Sequence, residues 1–307
     1  MVGLRLSKWT DLPYLQHRMG CSTREHAVMQ VLHSERDTLM NLRRNLLAAF
    51  LCAPLVSLTV PVTGLSQVPS KEPIKNVVLV HGAWADGSSW LKILPLLEAE
   101  GLHVVCAQIP LTSFADDVAA TKRIIDAQEG PVLLVGHSYG GAVITEAGND
   151  PKVAGLVYVA AFAPDQGESA GSLGKPYGAT PGVGELRPLA DGFLVLTDKG
   201  ILEDFAPDVA LADRTLMIAT QVPTQGAALG APITTAAWRT KPSWFVVAAN
   251  DRMIAPEQER VTAKRMNAKT LTLSTSHVPM ISKPHEVADF ITNAASAKSS
   301  PTPPGTL

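Results

Sequence analysis

Val132-Leu133-Leu134-Val135-Gly136-His137-Ser138-Tyr139-Gly140-Gly141 runs four apolar residues into the pattern G-x-S-x-G, and this junction organises the rest of the chain. A buried strand that turns abruptly into a helix forces its corner residue outward. Glycines at 136 and 140 lack the Cβ atoms that would collide in so tight a turn. Ser138 is then the corner residue. Its Oγ would stand above the C-terminal edge of a parallel sheet, at the N-terminus of a helix starting near Tyr139, where free N–H groups favour a developing negative charge. The pattern is short enough to arise by chance. Its context supports it, with an apolar strand directly before and the amphipathic Ala142-Val143-Ile144-Thr145-Glu146-Ala147 directly after.

Outward from this junction, strands alternate with helices. Asn76-Val77-Val78-Leu79-Val80 is the apolar run a strand buried on both faces requires, and it ends in His81-Gly82-Ala83-Trp84. Ser88 and Ser89 can cap a helix from Trp90 to Glu100, stopped by Gly101. His103 to Ala107 reads as a strand, and Phe114, Val118, Thr121 and Ile125 fall at helical spacing. Beyond the junction come strands at 153–161, 243–249 and 269–273, a charged helix from Pro256 to Met266, and a closing helix striped by Val287, Phe290, Ile291 and Ala294. Residues 165 to about 240 are rich in Gly and Pro with short apolar runs, the texture of a cap inserted above the sheet. The whole reads as an α/β fold with a mostly parallel, doubly wound sheet over 74–296.

At 307 residues and 46% apolar content, the chain suits one large domain behind a leader. A net charge of −2 without a dense Lys/Arg run gives no footprint for nucleic acid. Cys21, Cys52 and Cys106 form no metal-ligand spacing. Residues 1–39 show no sustained apolar period and read as an upstream extension. From Met40 the order changes: basic Arg43-Arg44, an apolar run from Leu46 to Val62 broken by Pro54 and Pro61, then Thr63-Gly64-Leu65-Ser66-Gln67. That is the order of an export signal over 40–67, general secretory or twin-arginine, with Met40 as the initiator. Periplasmic or secreted location follows, with membrane contact only through the signal. The stretch 297–307 is a Ser/Pro-rich tail expected to be disordered.

Serine is a weak nucleophile at neutral pH, so Ser138 needs a base, and the base needs an acid that fixes its tautomer. His277 and Asp251 each follow a predicted strand and stand in the chain order Ser, Asp, His. Parallel strands bring all three to one edge. Asp165 also follows a strand end and competes for the acid, while His285, after Pro284 at a helix start, reads as solvent-facing. The oxyanion donors would be the Tyr139 amide and that of Ala83, with Trp84 the alternative. Gly82, Trp84, Phe162 and Val278 are the residues expected to face substrate. The leading reading is a serine esterase on a small carboxylic ester. A receptor that uses the same fold to bind ligand is the alternative from another class.

Over nearly all of 74–296 the chain resembles the α/β-hydrolase superfamily. His81-Gly82-Ala83-Trp84, Gly136-His137-Ser138-Tyr139-Gly140-Gly141 and Ser276-His277-Val278-Pro279-Met280 are similar to the branch holding hydroxynitrile lyases, methyl-salicylate-type esterases and bacterial esterases. The resemblance implies Ser138 as nucleophile, His277 as base, Asp251 as acid, a cap, and neither metal nor organic cofactor. It also weighs against a lyase. In the lyases of this branch a Lys follows the catalytic His and a Thr follows the His ending the first strand, where this chain has Val278 and Gly82.

Overall fold

The computed structural model describes residues 73–297. The expected upstream extension, export signal and tail beyond 297 lie outside the described residues, among which no helix is long and apolar enough to cross a membrane.

Among the described residues nine strands form two sheets. They are β1 (Asn76–Val80), β2 (His103–Ala107), β3 (Val132–His137), β4 (Val153–Val159), β5 (Leu186–Pro188), β6 (Phe193–Leu196), β7 (Thr224–Gln225), β8 (Ser243–Ala248) and β9 (Lys269–Leu273). Six make a parallel sheet in the order β2-β1-β3-β4-β8-β9. Every residue of β1, β3 and β8 is buried, which is why these strands read as unbroken apolar runs. The edge strands β2 and β9 carry exposed residues instead.

Helices cover the sheet where apolar spacing predicts them. In α2 (Phe114–Asp126), after α1 (Leu94–Ala99), Val118, Thr121 and Ile125 point inward, and the Ser113 side chain accepts the Asp116 amide as N-cap. The fit is poorer before α1. The helix expected from Trp90 to Glu100 is instead a 3₁₀ turn, Gly87–Trp90, followed by the short α1. Asp86, not Ser88 or Ser89, caps that turn by accepting the Ser88 amide at 2.7 Å. Two constraints break the helix: Trp90 is fully buried and has to turn into the core, and Pro95 has no N–H for a preceding turn and fits only near a helix start. Further on lie α3 (Tyr139–Ala147), α4 (Leu211–Thr220), α5 (Pro256–Arg265) and α6 (Pro284–Ser296), the last burying Val287, Ile291 and Ala294.

The segment between β4 and β8 contains short helices, α4, and a three-stranded antiparallel sheet in the order β5-β6-β7. Strands of two to four residues leave no readable alternation, so the sequence shows only the Gly/Pro texture. This insertion is tied to the sheet edge at Trp84. The Trp84 amide donates to Thr224 Oγ1 at 3.0 Å and its indole N–H to the Leu194 carbonyl at 3.0 Å. Gln225 donates to the Leu111 carbonyl, and Arg252 pairs with Asp204 at 2.7 Å.

The junction of β3 and α3 is packed to the limit. A Cβ on Gly140 would lie 2.5 Å from the His81 carbonyl oxygen, and one on Gly136 would lie 2.6 Å from that of Gly140. Both obstacles are backbone, which cannot swing aside. Gly140→Ala should therefore destabilise the fold by about 2 kcal/mol or more, read from the urea midpoint. Gly184→Ala, with nothing within 4 Å, should leave it within about 0.5 kcal/mol. Equal midpoints for the two variants would contradict the close approach.

Candidate active site

Ser138 caps α3 with φ 52° and ψ −122°, a conformation L-residues avoid. Surrounding hydrogen bonds hold it there: its N–H donates to the Val159 carbonyl at 3.2 Å, and its carbonyl accepts from Gly141 and Phe162 at 3.0 and 3.1 Å. The nucleophile-type corner is thus braced by β4 and the segment after it. The following residue is braced as well. Tyr139 donates its hydroxyl to Asp117 Oδ2 at 2.7 Å, while Asp117 Oδ1 accepts the Leu111 amide at 2.7 Å.

Ser138, Asp251 and His277 follow β3, β8 and β9, whose ends share one sheet edge. His277 Nδ1 and Asp251 Oδ2 are 2.6 Å apart, both side chains fully buried. A carboxylate oxygen accepts, so Nδ1 carries the proton and Nε2 presents a lone pair. Nε2 has no hydrogen-bond partner in the protein. The other carboxylate oxygen of Asp251 accepts the amides of Met253 and Ile254 at 2.6 and 2.9 Å, which fixes its orientation. The His277 ring lies against His137, the residue before Ser138, with centroids 4.7 Å apart.

Several residues that no sequence motif singles out support this pair. His137 Nε2 lies 2.8 Å from the His277 carbonyl oxygen, so it donates and anchors the main chain of His277. Burial, and next the neighbouring His277, push the His137 ring well below the usual imidazole range and keep it neutral. Phe205 from the insertion meets the His277 ring edge-on at 5.1 Å. Asp208, also from the insertion, accepts the Ser276 amide at 2.8 Å and the Ser276 hydroxyl. Glu259 on α5 is fully buried and accepts the Ala248 amide at 2.9 Å. Burial first, and the charge of Asp251 second, raise its carboxyl well above the usual carboxylate range.

The loop after β1 supplies main-chain donors. His81 is neutral because burial lowers its pKa, and its Nδ1–H donates to the Gly82 carbonyl at 2.9 Å while Nε2 accepts the Ile109 amide at 3.2 Å. Since Thr224 takes the Trp84 amide, Trp84 is removed as a candidate oxyanion donor. Ala83 and Tyr139 are left.

Ser138 opens into a cavity of about 330 Å³ walled by Ala83, Trp84, Phe162, Leu229, Met253 and Ile254 among others. Of the residues expected to face substrate, Trp84 and Phe162 line it; Gly82 and Val278 do not. Gly82 is pressed against the elbow instead, where an added Cβ would lie 2.8 Å from the Ser138 Cβ. Val278 is 1% exposed and belongs to the apolar core. Asp165 is bound to Arg239, which donates to it through Nε at 2.7 Å, and it makes no contact with His277. His285 is exposed. Among the described residues no group of His, Cys, Asp and Glu could hold a metal ion.

The Asp117 brace has a pH signature. Burial raises its carboxyl to about 6 despite the lowering effect of its hydrogen bonds to Tyr139 and Leu111. The folded chain therefore holds this proton more tightly than the unfolded one, so this group's contribution to stability declines as pH rises from about 4 to about 6. Asp117→Asn should flatten that part of the profile, measured as urea midpoints across the range relative to wild type. An unchanged slope would contradict a buried proton at Asp117.

Known proteins resemble this chain in both sequence and fold. The profile described as "Alpha/beta hydrolase family" matches residues 77–290. A pyrethroid hydrolase of Sphingobium wenxiniae is 27% identical over 258 residues, covering 73% of this chain and 89% of that protein. Methylesterase 8 of Arabidopsis thaliana is 32% identical over 114 residues, 32% of this chain and 42% of that protein. The crystal structure of a pyrethroid hydrolase from Sphingobium faniae JZ-2 superposes with a TM-score of 0.64 at 25% identity, covering 73% of this chain and 98% of the other.

Proposed function

The chain belongs to the alpha/beta hydrolase family, and from that premise we propose that it is a serine esterase acting on small carboxylic esters through Ser138, His277 and Asp251. The observation that carries the reading is the 2.6 Å Asp251–His277 hydrogen bond, which leaves Nε2 without a protein partner on a ring packed against His137, the residue before the strained corner Ser138. Among its relatives one is named a pyrethroid hydrolase and another a methylesterase, which supports the same class.

In this mechanism His277 Nε2 takes the proton of Ser138 as Oγ attacks the ester carbonyl. The amides of Ala83 and Tyr139 receive the developing oxyanion, the latter aided by the start of α3. His277 then returns the proton to the departing alcohol, leaving an acyl group on Ser138. Water, deprotonated by the same nitrogen, releases the acid. Asp251 keeps Nδ1 protonated throughout and stabilises the imidazolium that forms.

Ser138→Ala should lower turnover of 4-nitrophenyl acetate or butyrate by a factor on the order of 10⁶, and His277→Ala by about as much, because the two act as a unit. More than about a hundredth of wild-type activity in Ser138→Ala would overturn the mechanism. Asp251→Asn should cost roughly 10⁴ through the wrong tautomer, whereas Asp165→Asn, which removes the ion pair to the exposed Arg239, should be mild. The reverse order would transfer the acid to Asp165. Cyanide release from mandelonitrile should stay at background, since the position after His277 holds a buried Val278 and offers departing cyanide no cation.

We also propose that the protein is exported, a reading that rests on residues 40–67. Purified from an exporting host, the mature chain should begin between about Gly64 and Ser70, as N-terminal sequencing would show. Retention of Met1 would refute it.

A further inference from the structure

The cavity above Ser138 is almost entirely apolar, and its few polar side chains are mostly committed elsewhere. The Thr180 hydroxyl donates to the Met253 carbonyl at 2.9 Å, and the Tyr139 hydroxyl is bound to Asp117. Lys175 stands exposed at the rim. Gln258 is different. It lies in the first turn of α5, is only 4% exposed, and forms part of the cavity wall opposite Gly174, whose added Cβ would lie 4.0 Å from Gln258 Oε1. Among the described residues its carboxamide makes no hydrogen bond, yet its polar atoms are not sealed off as those of neighbouring Glu259 are.

A mostly buried carboxamide with no protein partner, its polar atoms open only to the cavity, is placed to bond a ligand atom that enters there, and a ligand that reaches it without bonding leaves it unsatisfied. Its position explains how it can be reached. Met253 and Ile254, which hold Asp251 through their amides, line the same wall, so the segment that orients the acid also carries Gln258 to the substrate side.

Resting on the esterase reading, we propose that Gln258 is a specificity-determining residue. It selects esters whose otherwise apolar arm carries one hydrogen-bonding oxygen, an ether, hydroxyl or carbonyl, over their all-carbon counterparts. The cavity walls supply apolar area for the arm, and Gln258 recognises the single polar atom along it. This is the division of labour expected where a site built to hydrogen-bond a substrate group discriminates against analogues lacking it.

An oxygen scan tests this. In one series, 4-nitrophenyl heptanoate is compared with esters in which oxygen replaces, in turn, each methylene of the acyl arm beyond the one bonded to the carbonyl; in a second, heptyl acetate is compared with acetates whose ether oxygen lies at least two carbons from the ester oxygen. Each kcat/KM is expressed relative to the all-carbon parent, in wild type and in Gln258→Leu. Comparing these ratios between proteins cancels the intrinsic reactivity of each ester. At one or two positions the rate relative to the parent ester should fall about five- to tenfold in the variant. Gln258→Met, unbranched and of similar reach, should repeat the result if the Leu variant folds poorly. Relative rates that match between wild type and both variants at every position would overturn the assignment of Gln258 and leave the esterase standing. Absence of any Ser138-dependent turnover in wild type would instead remove the esterase reading, and this inference with it.

Discussion

The steric constraint at Ser138 is what the rest of the site depends on. A residue with φ 52° is costly, on the order of 1–3 kcal/mol, and is retained only where its surroundings over-determine it. Here the surroundings are β4, the glycines of the elbow and the main chain after β1, which approach too closely for any Cβ. The same crowding keeps Ser138 at the sheet edge and sets the Tyr139 amide at the start of α3. Asp117 extends the brace through the Tyr139 hydroxyl.

Electrostatics around the elbow follow a simple economy of charge. Buried histidines and buried carboxyls lie close to it. Burial holds His81 and His137 neutral, and burial with Asp251 nearby raises the Glu259 carboxyl well above the usual carboxylate range. Each of these groups binds a piece of main chain. His81 orients the Gly82 carbonyl, His137 anchors the His277 backbone, and Glu259 receives the Ala248 amide. The Asp251–His277 pair differs in that it joins two side chains, and its Nε2 has no hydrogen-bond partner in the protein. The insertion contributes to this order too, through Phe205 against the imidazole and Asp208 on Ser276.

Much of this arrangement is legible in the amino-acid sequence, for a physical reason. Strands buried on both faces have to be continuous apolar runs, so β1, β3, β4 and β8 announce themselves, and a parallel sheet delivers their C-terminal ends to one edge. Ser138, Asp251 and His277 can therefore be singled out by residue type and place. What stays hidden in the sequence is polar and short-range. The helix α5 looks solvent-exposed in sequence, Pro256-Glu257-Gln258-Glu259-Arg260, yet Gln258, Glu259 and Thr262 face inward. Apolar periodicity cannot reveal an inward face made of polar residues. The strands of the insertion are too short to alternate. Motif position points to Gly82 and Val278 as substrate-facing, but it does not tell which way a residue packs.

A mechanism-based label tests most directly whether Ser138 is an activated nucleophile served by His277. A fluorophosphonate reacts with a serine hydroxyl only where a base and an oxyanion site assist it. Incubated with the protein and read by intact mass and peptide mapping, it should add one equivalent, located on the peptide containing Ser138. The adduct should be absent in His277→Ala. Labelling of another residue, or none at all in a folded protein, would contradict the account.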